Sequence, residues 1–147
     1  RVLSRFGLRY IDSDDWYPVR IVLDIYRDLA KSGWGKFDLV NVGMGMVENA
    51  ALPPHINTIP RAMEMLNADY SMDMRNVPED EGYEVEYLTE QHLLVHDRTP
   101  FPHDIVYGMI LGLAERFCPD DGDLTIHRSY NLPHDRDSDG AVYDIAW

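Results

Sequence analysis

The chain has a single cysteine, Cys118, in 147 residues. One thiol excludes an internal disulfide and any multi-cysteine metal site, and it fits a reducing cytoplasm. Positive charge is also scarce: 13 basic residues face 26 acidic ones, for a formal net charge of −13. A surface of that sign repels phosphate backbones and anionic lipid, so neither nucleic acid nor membrane is an expected partner. No apolar run approaches the roughly 18–20 residues of a spanning helix. No Gly-x-Ser-x-Gly occurs, so the common serine-hydrolase elbow is missing. Internal repeats and low-complexity segments are absent too. What remains is ordinary globular material, 45% apolar and 27% charged, long enough to bury a core without disulfides or metal. The expectation is one domain over residues 1–147. Because the chain starts at Arg1 rather than Met and stops at Trp147 in a strand-like run, it reads as excised from a longer protein.

Hydrophobic spacing places the elements. From Trp16 to Lys31, Val19, Val22, Leu23, Tyr26 and Ala30 follow the 3.6-residue period of an amphipathic helix. Asp14 and Asp15 are placed to cap it and Gly33 to stop it. Phe37 to Ala51 carries two patterns at once: Val40, Val42, Met44 and Met46 alternate as in a strand, whereas Leu39, Gly43, Met46 and Ala50 share a helical face. Length and the Ala/Leu tail favour a helix, with Gly43 and Gly45 permitting close packing at about 1 kcal/mol each. Pro53-Pro54 breaks the chain. A third helix then starts near Thr58-Ile59-Pro60, with Asn57 or Thr58 as cap and Ile59, Ala62, Met63, Leu66 and Tyr70 on one stripe. Tyr83, Val85 and Tyr87 alternate with Glu84 and Glu86 in a strand that pairs with His92–Asp97. After Pro100-Phe101-Pro102 a fourth helix runs from about Asp104 to Phe117. Two more alternating strands, Leu124–Tyr130 and Ala141–Trp147, flank a polar loop. The predicted class is α+β: N-terminal helices, then a four-stranded antiparallel sheet made of two hairpins separated by one helix.

Several constellations carry possible chemistry. Asp135-Arg136-Asp137-Ser138-Asp139-Gly140 has the opening of a calcium loop, with Asp135, Asp137 and Asp139 as candidate metal ligands. Its twelfth position is Ala146 instead of a bidentate glutamate, and its flanks are strands, so a solvated turn explains it better. Histidine precedes aspartate at His96-Asp97, His103-Asp104 and His134-Asp135, a pattern that suits a divalent-metal hydrolase. Neighbours in a strand point to opposite faces, however, and Asp104 is well explained as a favourable charge at a helix N-terminus. His92 and His96 share a strand face but stand roughly 13 Å apart. Gly43-Met44-Gly45 lacks the third glycine and preceding strand of a dinucleotide fingerprint, and Cys118 has no activating neighbour. The methionines and aromatics are more suggestive. Met44, Met46, Met63, Met65, Met109, Tyr26, Tyr70, Tyr107 and Trp16 lie on helices or their starts, where soft side chains can line a pocket or simply fill a core.

The run Thr99-Pro100-Phe101-Pro102-His103-Asp104-Ile105-Val106-Tyr107-Gly108-Met109-Ile110-Leu111-Gly112 resembles the "apolar, Pro, a few residues, Tyr-Gly, then Gly" lead-in to the last helix of one superfamily. That superfamily holds the heme-nitric-oxide-binding domains, the 4-vinyl-reductase-type domains and the vesicle-tethering TRAPP subunits. The final Ala141-Val142-Tyr143-Asp144-Ile145-Ala146-Trp147 resembles its closing strand, and Asp15-Trp16-Tyr17-Pro18 is similar to bacterial relatives fused to signalling outputs. The resemblance implies a sensory or ligand-binding module, usually dimeric, that encloses a small molecule and reports to an attached domain. Departures from the pattern bear on the cofactor. The cysteines that 4-vinyl-reductase-type domains carry near the last hairpin are replaced by Ala141 and the Asn131–Pro133 region. The heme-binding members use a helical His and a Tyr-x-Ser-x-Arg motif, for which Tyr70-Ser71 to Arg75 has the wrong spacing and His55 is a poor counterpart. On these motifs heme is not supported, and the cofactor is unassigned.

The leading expectation is a cytoplasmic sensor domain without catalysis of its own. It would take a small apolar or aromatic ligand, act as a homodimer and regulate an attached output domain. Trp16, Met63, His103 and Tyr107 are the candidate ligand-binding residues: two aromatic walls, a soft contact and a hydrogen-bonding ring. The alternatives are a small metal-dependent enzyme built on the His-Asp clusters, and a ligand-free interaction scaffold.

Overall fold

The computed structural model describes residues 3–32, 35–130 and 140–147, with the backbone alone over 35–38. After a short 3-10 turn, Leu3–Phe6, come three helices: α1 (Val19–Lys31), α2 (Gly35–Asn49) and α3 (Ile59–Asp73). Strands β1 (Tyr83–Thr89) and β2 (His92–Asp97) follow, then α4 (His103–Phe117) and the strands β3 (Thr125–Tyr130) and β4 (Ala141–Ala146). The α+β class and the four-stranded antiparallel sheet are as the spacing predicts, with β1 paired to β2 before α4 and β3 to β4 after it. The sheet order β1-β2-β4-β3 adds what spacing does not carry: β4, last in the chain, pairs antiparallel with both β2 and β3 and so lies inside the sheet.

Helix boundaries show which local signals prevailed. Thr58 caps α3 as expected, its Oγ1 accepting from the Arg61 amide at 3.4 Å. At α1 the expected aspartate cap is replaced. Pro18 occupies the N-cap with no side-chain hydrogen bond, and Asp12 instead accepts from the Asp14 amide at 3.0 Å in a turn ahead of the helix. Proline fixes φ near the helical value, which starts the helix at Val19 rather than Trp16. At the other end Ser32 closes α1, its Oγ donating to the Leu29 carbonyl at 2.7 Å; Gly33 lies outside the described residues.

The ambiguous segment is a helix because of what it meets. α2 crosses α4 so closely that a Cβ added to Gly43 would stand 2.1 Å from the Ile105 carbonyl oxygen, and one on Gly108 2.0 Å from that of Val40. The two glycines let backbone touch backbone, and only a missing side chain permits that. Gly45, by contrast, faces open space. α3, α4 and the inner face of the sheet share the core, in which Met63, Ile110, Leu93, Val95, Tyr143 and Ile145 are fully buried. The inner rows of the sheet follow the register: Tyr83, Asp97, Ala141 and Tyr130 in one, Val85, Val95, Tyr143 and Arg128 in the next. α1 differs from α3 and α4 in having no buried residue.

Candidate functional site

A cavity of about 300 Å³ opens between α2, α3 and α4, at the low end of the usual range for ligand sites. Its wall is mostly apolar. Met46, Val47 and Leu52 line it from α2 and the following loop; Met65, Leu66, Tyr70 and Met74 from α3 and its end; Ile105, Met109 and Leu113 from α4. Tyr26 of α1 and Phe101 close one side with their rings edge to face, centroids 6.4 Å apart. Leu66, Asp69, Tyr70 and Asp73 recur at the i, i+3, i+4, i+7 spacing that puts them on one helical face. Polar groups in this wall are few and protonated or peripheral. The Tyr70 hydroxyl donates to the Glu81 carboxylate, and burial, followed by that hydrogen bond, pushes its phenol well above the ordinary tyrosine range. Burial likewise raises Tyr26. Burial, then the neighbouring Asp73, raises the Asp69 carboxyl.

A second cavity, of about 730 Å³, lies on the other side of Tyr26 and Phe101, between α1, the start of α4 and β3. Next to it sits an unusual buried pair. Asp97 is fully buried, and its Oδ1 accepts from the Thr99 amide at 2.9 Å and the Thr99 hydroxyl at 2.7 Å. Its Oδ2 and the His103 Nδ1 face each other at 3.8 Å, each buried without a hydrogen bond. Burial and the Asp97 charge raise the phenols of Tyr83 and Tyr143.

The four candidate ligand-binding residues do not converge. Trp16 is half exposed, with the Arg75 guanidinium 3.6 Å from its ring centroid. Met63 is fully buried in the core and lines neither cavity. Tyr107 stacks on Tyr143, centroids 6.3 Å apart, outside both walls. His103 alone lines a cavity, the second one. The lining of the first is drawn instead from other members of the Met and aromatic set, Met46, Met65, Met109, Tyr26 and Tyr70, together with Phe101 and Met74. The i, i+4 repeat of Leu66 and Tyr70 beside Met65 was the available signal.

The metal candidates also separate. His96 points to the outer face, 2.8 Å from Glu86, whereas Asp97 points inward. His92 bonds Asp144 at 2.7 Å, and Asp104 pairs with Arg128 at 2.8 Å. Among the described residues no three His, Cys, Asp or Glu side chains are grouped to hold a metal ion; Asp135, Asp137, Asp139 and His134 lie outside them. No described helix is long and apolar enough to cross a membrane.

No protein-family model matches the sequence, and no curated protein does. Solved structures do resemble the fold. One, from work probing the function of heme distortion in the H-NOX family, superposes with a TM-score of 0.70 at 13% identity, over 99% of this chain and 82% of that one. An H-NOX protein from S. oneidensis in the Fe(II)NO ligation state gives 0.69 at 13% identity, over 98% and 84%. An oxygen-binding H-NOX domain related to soluble guanylate cyclases gives 0.65 at 11%, over 98% and 80%.

These likenesses overturn the motif-based expectation that heme is unsupported. The motifs lack a convincing helical His and the Tyr-x-Ser-x-Arg spacing, yet nearly the whole chain superposes on H-NOX structures. Local motifs of a few side chains are lost more readily than the arrangement of a core. Among the cavity's donors, no histidine is present in the described lining, but methionine is, and it serves as a heme ligand in proteins; the Tyr70 phenol, kept protonated against Glu81, can only contact such a group. With four helices over a β1-β2-β4-β3 sheet, and an apolar hollow between them, the chain has the fold of the H-NOX domains.

Proposed function

We propose that this domain is a small-molecule sensor, with its ligand or prosthetic group in the methionine- and aromatic-lined cavity between α2, α3 and α4. The observation that carries the reading is that hollow, placed inside a fold shared along its length with H-NOX domains. Heme is the candidate group, by likeness to the neighbours. Met65, Met109 and Tyr70 would hold it, the methionines against an apolar face and Tyr70 from the side of Glu81. When bound, heme would supply an iron able to take a diatomic gas. The residues themselves offer a mostly apolar wall and hold the tyrosine proton on Oη through Glu81. A homodimer and an attached output domain that reads the pocket's state complete the proposal; α1, half-exposed over the cavity, is the element whose packing a guest would change.

Titration of the ligand-free protein with hemin tests this. One equivalent should bind per chain with a Soret band. Met109→Trp, which fills the hollow, should weaken binding at least ten-fold while the far-ultraviolet dichroism stays native. Failure of hemin and of a neutral apolar probe such as indole to bind, or equal binding by the filled variant, defeats the proposal.

A further inference from the structure

The second cavity differs in kind from the first. Among the described residues three cations line it: Arg27 and Lys31 from α1, and Arg128 from β3. Asp104 is the one carboxylate among the described lining residues. In a chain of net charge −13, a concave surface with a cationic excess is against the trend and needs a reason. Arg128 is held in place, ion-paired with Asp104 at 2.8 Å, its guanidinium 5.1 and 5.5 Å from the ring centroids of Tyr107 and Tyr130. A guanidinium fixed in this way has little rotamer freedom left to lose when an anion arrives. Arg27 is paired with Asp24, outside the wall, and Lys31 has no ion pair among the described residues. His103 is also part of the lining, its buried Nδ1 turned toward Asp97, whose Oδ2 lies 3.8 Å away without a hydrogen-bond partner. Tyr26, Phe101 and Tyr130 supply flat apolar wall.

We propose that this cavity is a second binding site, for an organic anion with an aromatic or apolar body. The headgroup is drawn to Lys31, Arg27 and Arg128 and hydrogen-bonded by His103, and the body lies against Tyr26, Phe101 and Tyr130. The site does not depend on the first cavity being a ligand site, although Tyr26 and Phe101 belong to both walls.

The test uses 4-phenylbutyrate and 4-phenylbutanol, equal in body and different in headgroup, with calorimetry for affinity and amide NMR for location. The acid should bind at least ten-fold more tightly than the alcohol, weaken with added salt, and shift the amides of Ala30, Phe101 and Tyr130. Arg27 and Lys31 are both exposed, so Arg27→Gln and Lys31→Gln should each lower acid affinity about five-fold without moving the melting temperature. Equal affinities for acid and alcohol, no binding of either, or unchanged affinity in both variants overturns the proposal. Shifts confined to Met65, Leu66 and Met74, which line only the first cavity, overturn it too while leaving the sensor reading intact.

Discussion

Asp97 shows how much one buried side chain can organise. It is fully enclosed, holds the Thr99 amide and hydroxyl, and its charge adds to burial in raising the phenols of Tyr83 and Tyr143. Removing the acceptor would strand two donors in a buried site, which costs roughly 1–3 kcal/mol. Asp97→Ala should therefore lose about 2 kcal/mol in urea unfolding. Asp97→Asn keeps an oxygen for Thr99 and removes a charge that makes no hydrogen bond to its nearest cationic candidate, His103 at 3.8 Å, so its loss should stay below about 1 kcal/mol. Equal losses for the two would mean that the charge itself, rather than the acceptor, is needed. The sequence made this residue visible as half of a His-Asp pair, but alternation along β2 separates the pair: His96 goes outward to Glu86 and Asp97 inward. Its actual histidine neighbour is His103, six positions on and past a proline-bounded turn.

At the scale of elements, the crossing of α2 and α4 decides between the two patterns written into residues 37–51. A strand would have spread its side chains over both faces, whereas the helix presents Gly43 to Gly108 and lets the backbones meet. Glycine in a helix interior costs about 1 kcal/mol relative to alanine. Gly45→Ala, in open space, should recover most of that and raise the melting temperature. Gly108→Ala should instead destabilise by at least about 1–3 kcal/mol, because the new methyl meets the Val40 carbonyl oxygen and neither backbone can yield cheaply. Thermal unfolding of the two variants checks the pair, and a Gly108→Ala protein as stable as the parent would show that the helices are free to separate. The sequence suggested close packing at both Gly43 and Gly45; which glycine serves it depends on where α4 lies, and local spacing carries no such information.

For the molecule as a whole, burial is unequal. α3 and α4 bury five and six residues each, while α1 buries none and lies between the two cavities. An element held only by half-exposed contacts opens at lower free energy than the core. Amide hydrogen exchange should thus be faster across Val22–Ala30 than across Val106–Leu113, and a guest in either cavity should slow α1 more than α4. Equal protection of the two helices in the free protein would contradict this, and would remove α1 as the element that senses occupancy.

Most of the elements were legible because helix and strand periods, prolines and glycines act over a few residues. The aspartates ahead of α1 are the exception, since Pro18 fixes the start by its own ring. The candidate site was legible in its materials and not in its arrangement: Met65, Met109, Tyr26 and Tyr70 belong to the expected set and meet in one wall, while Trp16 stacks on Arg75 at the surface and Met63 disappears into the core. By itself the sequence determined the α+β class, four helices and four antiparallel strands, an acidic composition and a supply of soft apolar side chains. Only the tertiary structure decided that β4 lies inside the sheet, that Gly43 faces Gly108, and that an apolar and a cationic hollow share Tyr26 and Phe101. Those features join residues dozens of positions apart, and packing of whole faces, rather than any local pattern, selects them.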